Sequence, residues 1–219
     1  MNYAPRKIRL IMELRAQGIT DTRVLSAIER VPREEFVPAE LADQSYENTA
    51  LPIGLGQTIS QPLIVGMMTQ ALDLGERMIV LEIGTGCGYQ TAVLAQLCRR
   101  VYTIERHRPL IKEAEERLDR LGYRNVVTRV GDGFKGWPEV APFDRIIVTA
   151  AAPELPRTLI DQLSDGGIMV LPIGANPIDQ WLVKVARLPE GIVQERLAPV
   201  RFVPMVSGLP PEGEREPRS

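Results

Sequence analysis

Three short stretches of the chain hold residues able to do chemistry on a nucleoside-type ligand. The first is Glu82-Ile83-Gly84-Thr85-Gly86-Cys87-Gly88-Tyr89, an acid followed by three alternating glycines. Glycines at this density let the backbone turn tightly and come close to a ligand, because no side chain intervenes. The second is Glu105, which ends an apolar run at about the twenty-residue distance where a ribose-binding acid belongs. The third is Gly131-Asp132-Gly133. In isolation Asp132-Gly133 would be a turn. At the carboxy edge of a third strand, Asp132 is instead placed to accept from an adenine amino group. A dinucleotide fingerprint would need glycine at position 89, where Tyr89 stands, so a nicotinamide dinucleotide is disfavoured.

A fourth stretch, Gln57-Thr58-Ile59-Ser60-Gln61-Pro62, lies upstream. Ser60 has two compatible readings: the N-cap of the helix that Pro62 opens, and a hydroxyl facing a ligand. A helix start offers free N–H groups and a positive dipole end, which suits a carboxylate.

Strands and helices in alternation must position these groups. Residues 79–83 are an apolar, partly β-branched run of the kind a buried parallel strand needs, and residues 89–97 follow as a helix. A strand at 101–104, a helix at 109–121 and a strand at 126–130 come next. Strands at 143–152 and 168–172 flank a helix at 155–163. Runs at 180–187 and 192–203, joined by Pro189-Glu190-Gly191, read as an antiparallel addition. The expectation is an α/β fold, a doubly wound, mostly parallel, seven-stranded Rossmann-like sheet.

Ahead of it, residues 5–17 form an amphipathic helix carrying Ile8, Ile11, Met12 and Leu14. Thr20 or Asp21 caps a second helix with Val24, Leu25, Ile28 and Val31 on its buried face. Arg33, Glu34 and Glu35 read as its solvated end. Residues 44–62 break the helical pattern as a long irregular connection of the kind that often carries function. The helix after Pro62 buries Val65, Met68, Leu72 and Leu74. The division expected is one domain over 1–209, with a helical cap and acceptor-binding segment at 5–75 and the Rossmann-like core at 76–209. Residues 210–219 read as a disordered tail.

Composition narrows the function classes. The chain has 219 residues, 44% of them hydrophobic, enough for one sizeable core. Its formal net charge of -2 supplies no basic field for nucleic acid. No apolar run approaches the roughly 20 residues that span a membrane, and no signal-peptide core opens the chain. Cys87 and Cys98 suggest neither a disulfide framework nor a metal cluster. A soluble, cytoplasmic monomer that holds no metal is expected. His107, the single histidine, reads as an exposed residue near the ribose, which leaves the site without a dedicated base. A carboxylate acceptor suits such a site, because with a pKa of about 4 it is already ionised at neutral pH.

The glycine loop with its two acids resembles motif I of the S-adenosylmethionine-dependent methyltransferases. The resemblance implies that the loop lies against the methionine part of the cofactor and that Glu105 holds the ribose hydroxyls. At the end of the fourth strand stands Thr149-Ala150-Ala151-Ala152-Pro153, not the Asn- or Asp-Pro-Pro-aromatic run of amino-nucleobase enzymes. Neither cysteine is placed for cytosine-carbon chemistry, and no acid marks a catechol-type magnesium site.

The resemblance sharpens over residues 5–209. Val31-Pro32-Arg33-Glu34 with Phe36-Val37-Pro38, the Gly56-to-Pro62 segment, the glycine loop through Thr91, Gly131-Asp132-Gly133, Ile147-Val148-Thr149-Ala150-Ala151 and Arg201-Phe202-Val203-Pro204 look like the protein-L-isoaspartate O-methyltransferase family. This implies methyl transfer from S-adenosyl-L-methionine to the misplaced carboxylate of L-isoaspartyl residues in damaged proteins and peptides. S-adenosyl-L-homocysteine is the other product, and the ester closes to succinimide as the first step of repair. By similarity Ser60 is the active-site residue, and Thr58 and Ser60 hold the acceptor carboxylate. Glu82, Ile83, Gly84, Thr85, Gly86, Gly88, Glu105, Asp132 and Gly133 are the implied cofactor positions. Cys87 and His107 depart from the residues common there, serine and an apolar side chain. The rivals are a methyltransferase of another carboxylate or small acid, and a non-catalytic cofactor-binding scaffold.

Overall fold

The computed structural model describes residues 3–211. Of the tail expected at 210–219, residues 212–219 lie outside that range. Helix α1 (Ala4–Ala16) buries Leu10 and Leu14 and leaves Ile8 and Met12 exposed. Its buried stripe is therefore rotated from the expected one. Helix α2 (Thr22–Arg30) starts on Asp21, whose side chain accepts from the Arg23 N–H, and buries Val24, Leu25, Ala27 and Ile28. Residues 44–62 are more regular than expected. After two 3₁₀ turns, β1 (Leu51–Gly54) and β2 (Gln57–Ile59) pair as an antiparallel hairpin that leads into α3 (Pro62–Ala71).

The main sheet follows: β3 (Ile79–Ile83), α4 (Tyr89–Ala95), β4 (Arg100–Glu105), α5 (Arg108–Arg120), β5 (Val126–Val130), β6 (Phe143–Val148), α6 (Arg157–Ile160), β7 (Leu163–Ile173), β8 (Gln180–Leu188) and β9 (Gly191–Val200). Its strand order is β5-β4-β3-β6-β7-β8-β9. The first five neighbours run parallel, and β8 and β9 are antiparallel additions. Strand alternation divides the core into two faces. Val80, Val101, Ile147 and Val170 join Met68 of α3, Leu72 just after it and Leu94 of α4. Leu81, Ile83, Ile146, Val148 and Met169 meet Leu159, Ile160 and Met205 on the opposite face.

The helix expected at 155–163 shrinks to the four residues of α6. Leu163 pairs with Phe143 and Ile168 with Arg145, and a register shift between them absorbs Ser164 to Gly167 into a long β7. The strand expected at 143–152 ends at Val148, and Ala151 and Ala152 make only single bridges, to Pro204 and Ile173. Among the described residues no helix is long and apolar enough to cross a membrane.

Candidate active site

The carboxy ends of β3, β4 and β6 meet at the point where the strand order reverses, the place where open α/β sheets bind ligands. Gly84 takes φ +97° there, and a Cβ on it would lie 2.3 Å from Thr149 Oγ1. That hydroxyl donates to the carbonyls of Ile83 (3.0 Å) and Gly84 (2.7 Å), which ties the end of β6 to the loop. Only glycine fits this position. Gly86 N–H donates to Glu105 Oε2 at 2.9 Å, while Oε1 accepts from the N–H groups of Arg106 and His107 at 2.8 and 3.0 Å. Three backbone donors thus hold the Glu105 carboxylate in one orientation beside the loop.

Beneath the loop lies Glu82, fully buried. Its Oε2 accepts from the hydroxyls of Thr91 and Thr103, and Thr103 in turn shares a 2.7 Å hydrogen bond with Thr85 in the loop. Burial pushes the Glu82 carboxyl up to about 8, against the opposing pull of the two threonine hydroxyls. It is therefore mostly a neutral acid at neutral pH, a brace between β3, β4 and α4.

One cavity of about 920 Å³ opens over these strand ends. Thr58, Ser60, Ile83, Gly84, Thr85, Gly86, Glu105 and Gly133 all line it. Glu82, Gly88 and Asp132 do not, and each is held by other partners. Gly88 begins α4 at φ +90°, and a Cβ there would press on Ala114 and Leu118 of α5, so its smallness serves helix packing. Asp132 accepts from Phe134 N–H through Oδ1 (3.0 Å) and from Gly208 N–H through Oδ2 (2.8 Å). It shapes the backbone between Gly131 and Gly133, which do face the cavity.

The β1–β2 hairpin and the start of α3 bring Thr58 and Ser60 to the same cavity. The N-cap of α3 is Gln61, with no side-chain cap bond, so Ser60 is not the helix cap. Its hydroxyl makes no hydrogen bond to any described residue and faces a cavity. Its carbonyl accepts from Arg33 Nη2 at 2.9 Å. Arg33 is not the end of a solvated helix: it is fully buried. Glu34 and Glu35 are engaged locally, Glu34 by the Tyr46 hydroxyl and Glu35 by Arg120 at 2.9 Å.

His107 departs from expectation as well. It precedes α5, is only 7% exposed and lines the cavity next to Glu105. Cys87 also lines it, its thiol pushed up by burial and so less reactive than an exposed one. A third wall went unassigned in the sequence. Pro199 to Val206 and Trp181 close the cavity, held by Ala151 N–H to Val203 O and Met205 N–H to Ala151 O, both 2.8 Å. Gln180 clamps Phe202 by accepting from its N–H at 2.7 Å and donating to its carbonyl at 3.2 Å. The Arg201-Phe202-Val203-Pro204 run was the available signal. Among the described residues no three His, Cys, Asp or Glu side chains converge as metal ligands would.

Comparison with known proteins extends these findings. Residues 5–209 match the family described as protein-L-isoaspartate(D-aspartate) O-methyltransferase. A protein-L-isoaspartate O-methyltransferase of Rhodospirillum rubrum is 66% identical over 213 residues, spanning 96% of this chain and 97% of that one. One from Paramagnetospirillum magneticum is 62% identical over 95% of this chain and 98% of its own. Among solved structures, a Plasmodium falciparum beta-aspartate methyltransferase in complex with S-adenosyl-L-homocysteine superposes with a TM-score of 0.80. It is 25% identical, over 91% of this chain and 98% of that one.

Proposed function

Because the chain belongs to the protein-L-isoaspartate(D-aspartate) O-methyltransferase family and is an S-adenosylmethionine-dependent methyltransferase of isoaspartyl residues, we infer how its cavity divides the work. The strand-end side takes the cofactor and the hairpin side takes the acceptor. The observation that carries this division is the uncommitted Ser60 hydroxyl, which lines the same cavity as Thr58 and the braced Glu105 carboxylate.

The residues present fit the cofactor. Glu105 offers an oriented carboxylate for a vicinal diol, and Gly84, Thr85 and Gly86 present bare backbone for an amino-acid moiety. Ile83 and Gly133 supply a surface for the purine, Gly133 so near Ile83 that a Cβ would lie 2.3 Å from Ile83 Cγ2. Glu82, Gly88 and Asp132 act one layer behind, through the loop, through α5 and through the Gly131–Gly133 backbone. Bound S-adenosylmethionine supplies an electrophilic methyl group on a sulfonium.

Thr58 and Ser60 hold the isoaspartyl carboxylate by hydroxyl hydrogen bonds and aim one oxygen at the methyl carbon. Ser60 orients and is not a nucleophile. The acceptor arrives ionised, so the step needs no proton abstraction, and His107 belongs to the cofactor edge with Glu105. Trp181 and the 199–206 wall exclude water, which strengthens the attraction between unlike charges. Orientation of this kind contributes roughly 7–11 kcal/mol in well-aligned reactions.

The working unit is one domain over 1–209, with 5–75 as cap and acceptor segment and 76–209 as the Rossmann-like core. We place it in the cytoplasm as a monomer acting on proteins and peptides, without nucleic acid or membrane. The free, buried Cys87 and Cys98 suit a reducing compartment.

Labelled S-adenosylmethionine with a matched pair of peptides, one L-isoaspartyl and one normal aspartyl, tests the reading. Base-labile label on the isoaspartyl peptide alone is the expected result. Label on both peptides, or on neither while S-adenosyl-L-homocysteine still binds, would overturn the acceptor assignment.

A further inference from the structure

Arg33 is a buried cation without a buried anion. It opens the 3₁₀ turn Arg33–Phe36 and has no exposed surface. Among the described residues no carboxylate lies within ion-pair distance of it. Nη2 donates to Ser60 O at 2.9 Å and reaches Thr49 O at 3.4 Å. These two carbonyls flank the β1–β2 hairpin that carries Thr58, so one nitrogen gathers both ends of the acceptor segment. The guanidinium lies 4.7 Å from the ring centroid of Tyr89, a residue that lines the cavity. Phe36 meets the same ring edge-on at 5.6 Å. Nε and Nη1 of Arg33 and the Tyr89 hydroxyl are buried without a well-aligned hydrogen bond, and the contact between the guanidinium and the Tyr89 hydroxyl adds no anion.

Burying an unpaired charge is unfavourable by several kcal/mol, so a chain that retains one here gains something in return. Removing the charge from water pulls the Arg33 proton affinity down, yet arginine starts so high that it stays cationic. Two carbonyl dipoles and one aromatic face offset part of the charge, and two of the residues that touch the guanidinium, Ser60 and Tyr89, line the cavity. In a site of low dielectric the field of the remaining charge is weakly screened.

Resting on the reading that Thr58 and Ser60 receive the acceptor, we propose that Arg33 is a positioning residue that fixes Ser60 from behind and makes the acceptor half select an ionised carboxylate. The anion of the substrate is the missing counter-charge. Methyl transfer neutralises that carboxylate, so Arg33 favours the bound anion more than the transition state. Its removal therefore shows in KM more than in kcat. Once the ester has formed, the same field no longer retains the product.

The experiment measures KM and kcat for an L-isoaspartyl peptide and the inhibition constant of the same peptide with that carboxylate replaced by carboxamide. Wild type, Arg33→Met, Arg33→Lys and Ser60→Ala are compared, with the Kd of S-adenosyl-L-homocysteine as the check on folding. Arg33→Met is expected to raise KM for the carboxylate peptide at least about tenfold. Cofactor-product affinity and carboxamide inhibition should stay within about threefold, a difference of less than 1 kcal/mol. Arg33→Lys keeps the charge but not the planar fork, so both peptides weaken together and the preference for carboxylate survives.

Equal loss for both peptides in Arg33→Met, or no loss for either, overturns the proposal. If Arg33→Met fails to fold, Arg33→Lys decides alone, and loss of its carboxylate preference overturns it. Ser60→Ala separates the two levels. If it changes nothing, the acceptor reading itself fails; if it lowers turnover while Arg33→Met leaves KM intact, only the role of Arg33 fails.

Discussion

The two halves of the cavity are built on different principles. The half proposed for the cofactor is built chiefly on a strand end, a glycine loop and the start of a helix, with Glu105 fixed by its own neighbours and by Gly86, and Thr149 tying the loop to β6. The acceptor half is made by contacts distant along the chain. Arg33 reaches Thr49 and Ser60, and Ala151 holds Val203 and Met205. A binding site assembled from backbone turns tolerates little change but is rigid by construction. One assembled from contacts distant along the chain depends on each contact, and on the proposed division that is the half that would set substrate selectivity.

The sharpest way to break the comparison is Gly84→Val. The side chain would meet Thr149 Oγ1 at a backbone angle that β-branched residues rarely adopt. Strain and overlap together are expected to destabilise the native state by about 3 kcal/mol or more. S-adenosyl-L-homocysteine binding should disappear in calorimetry. A well-folded variant with intact binding would show that the loop is not rigid.

Ser60→Ala strikes the other half. Turnover of an isoaspartyl peptide should fall by up to about a hundredfold, the scale on which misplaced reactants lose rate. Cofactor affinity should stay within about twofold, well under 1 kcal/mol. Equal losses in both would mean that the halves are not separable. Glu105→Ala is the mirror test. Losing a charge-assisted partner of the diol is worth about 1.5–3 kcal/mol, so cofactor affinity drops roughly ten- to hundredfold. The acceptor KM, measured at saturating cofactor, should change little.

What the sequence made legible follows the same division. Ile79 to Ile83, the three glycines and Glu105 announce themselves locally, because period and turn chemistry act over a few residues. What the local pattern does not convey is depth: strand alternation sends the Glu82 side chain towards Thr91 and Thr103, behind the loop. Arg33 could not be read this way. Its neighbours Glu34 and Glu35 make the segment look solvated, and its inward turn depends on carbonyls 16 and 27 residues away. His107 is nearly buried as part of the cavity wall, because the chain that leads from β4 into α5 turns it inward beside Glu105. The helix expected over 155–163 failed because a strand register shift recruited Leu163 to Gly167 into the sheet.

The gentlest test concerns the brace under the cofactor half. Glu82 is raised from an ordinary carboxyl value to about 8 in the folded protein. The folded state therefore holds a proton that the unfolded chain releases near pH 4.5. The stability this group contributes is complete below that value and is lost progressively as pH rises towards 8, after which the loss levels off. The limiting slope is about 1.4 kcal/mol per pH unit. Glu82→Gln keeps an acceptor for Thr91 and Thr103 but cannot titrate. Denaturant melts between pH 5 and 9 should show wild type losing stability relative to the variant up to pH 8, with parallel curves beyond. Parallel curves from pH 5 upward would mean that Glu82 is ionised throughout. The loop would then rest on a buried carboxylate anion, and the cofactor half, like the acceptor half, would be held by an uncompensated charge.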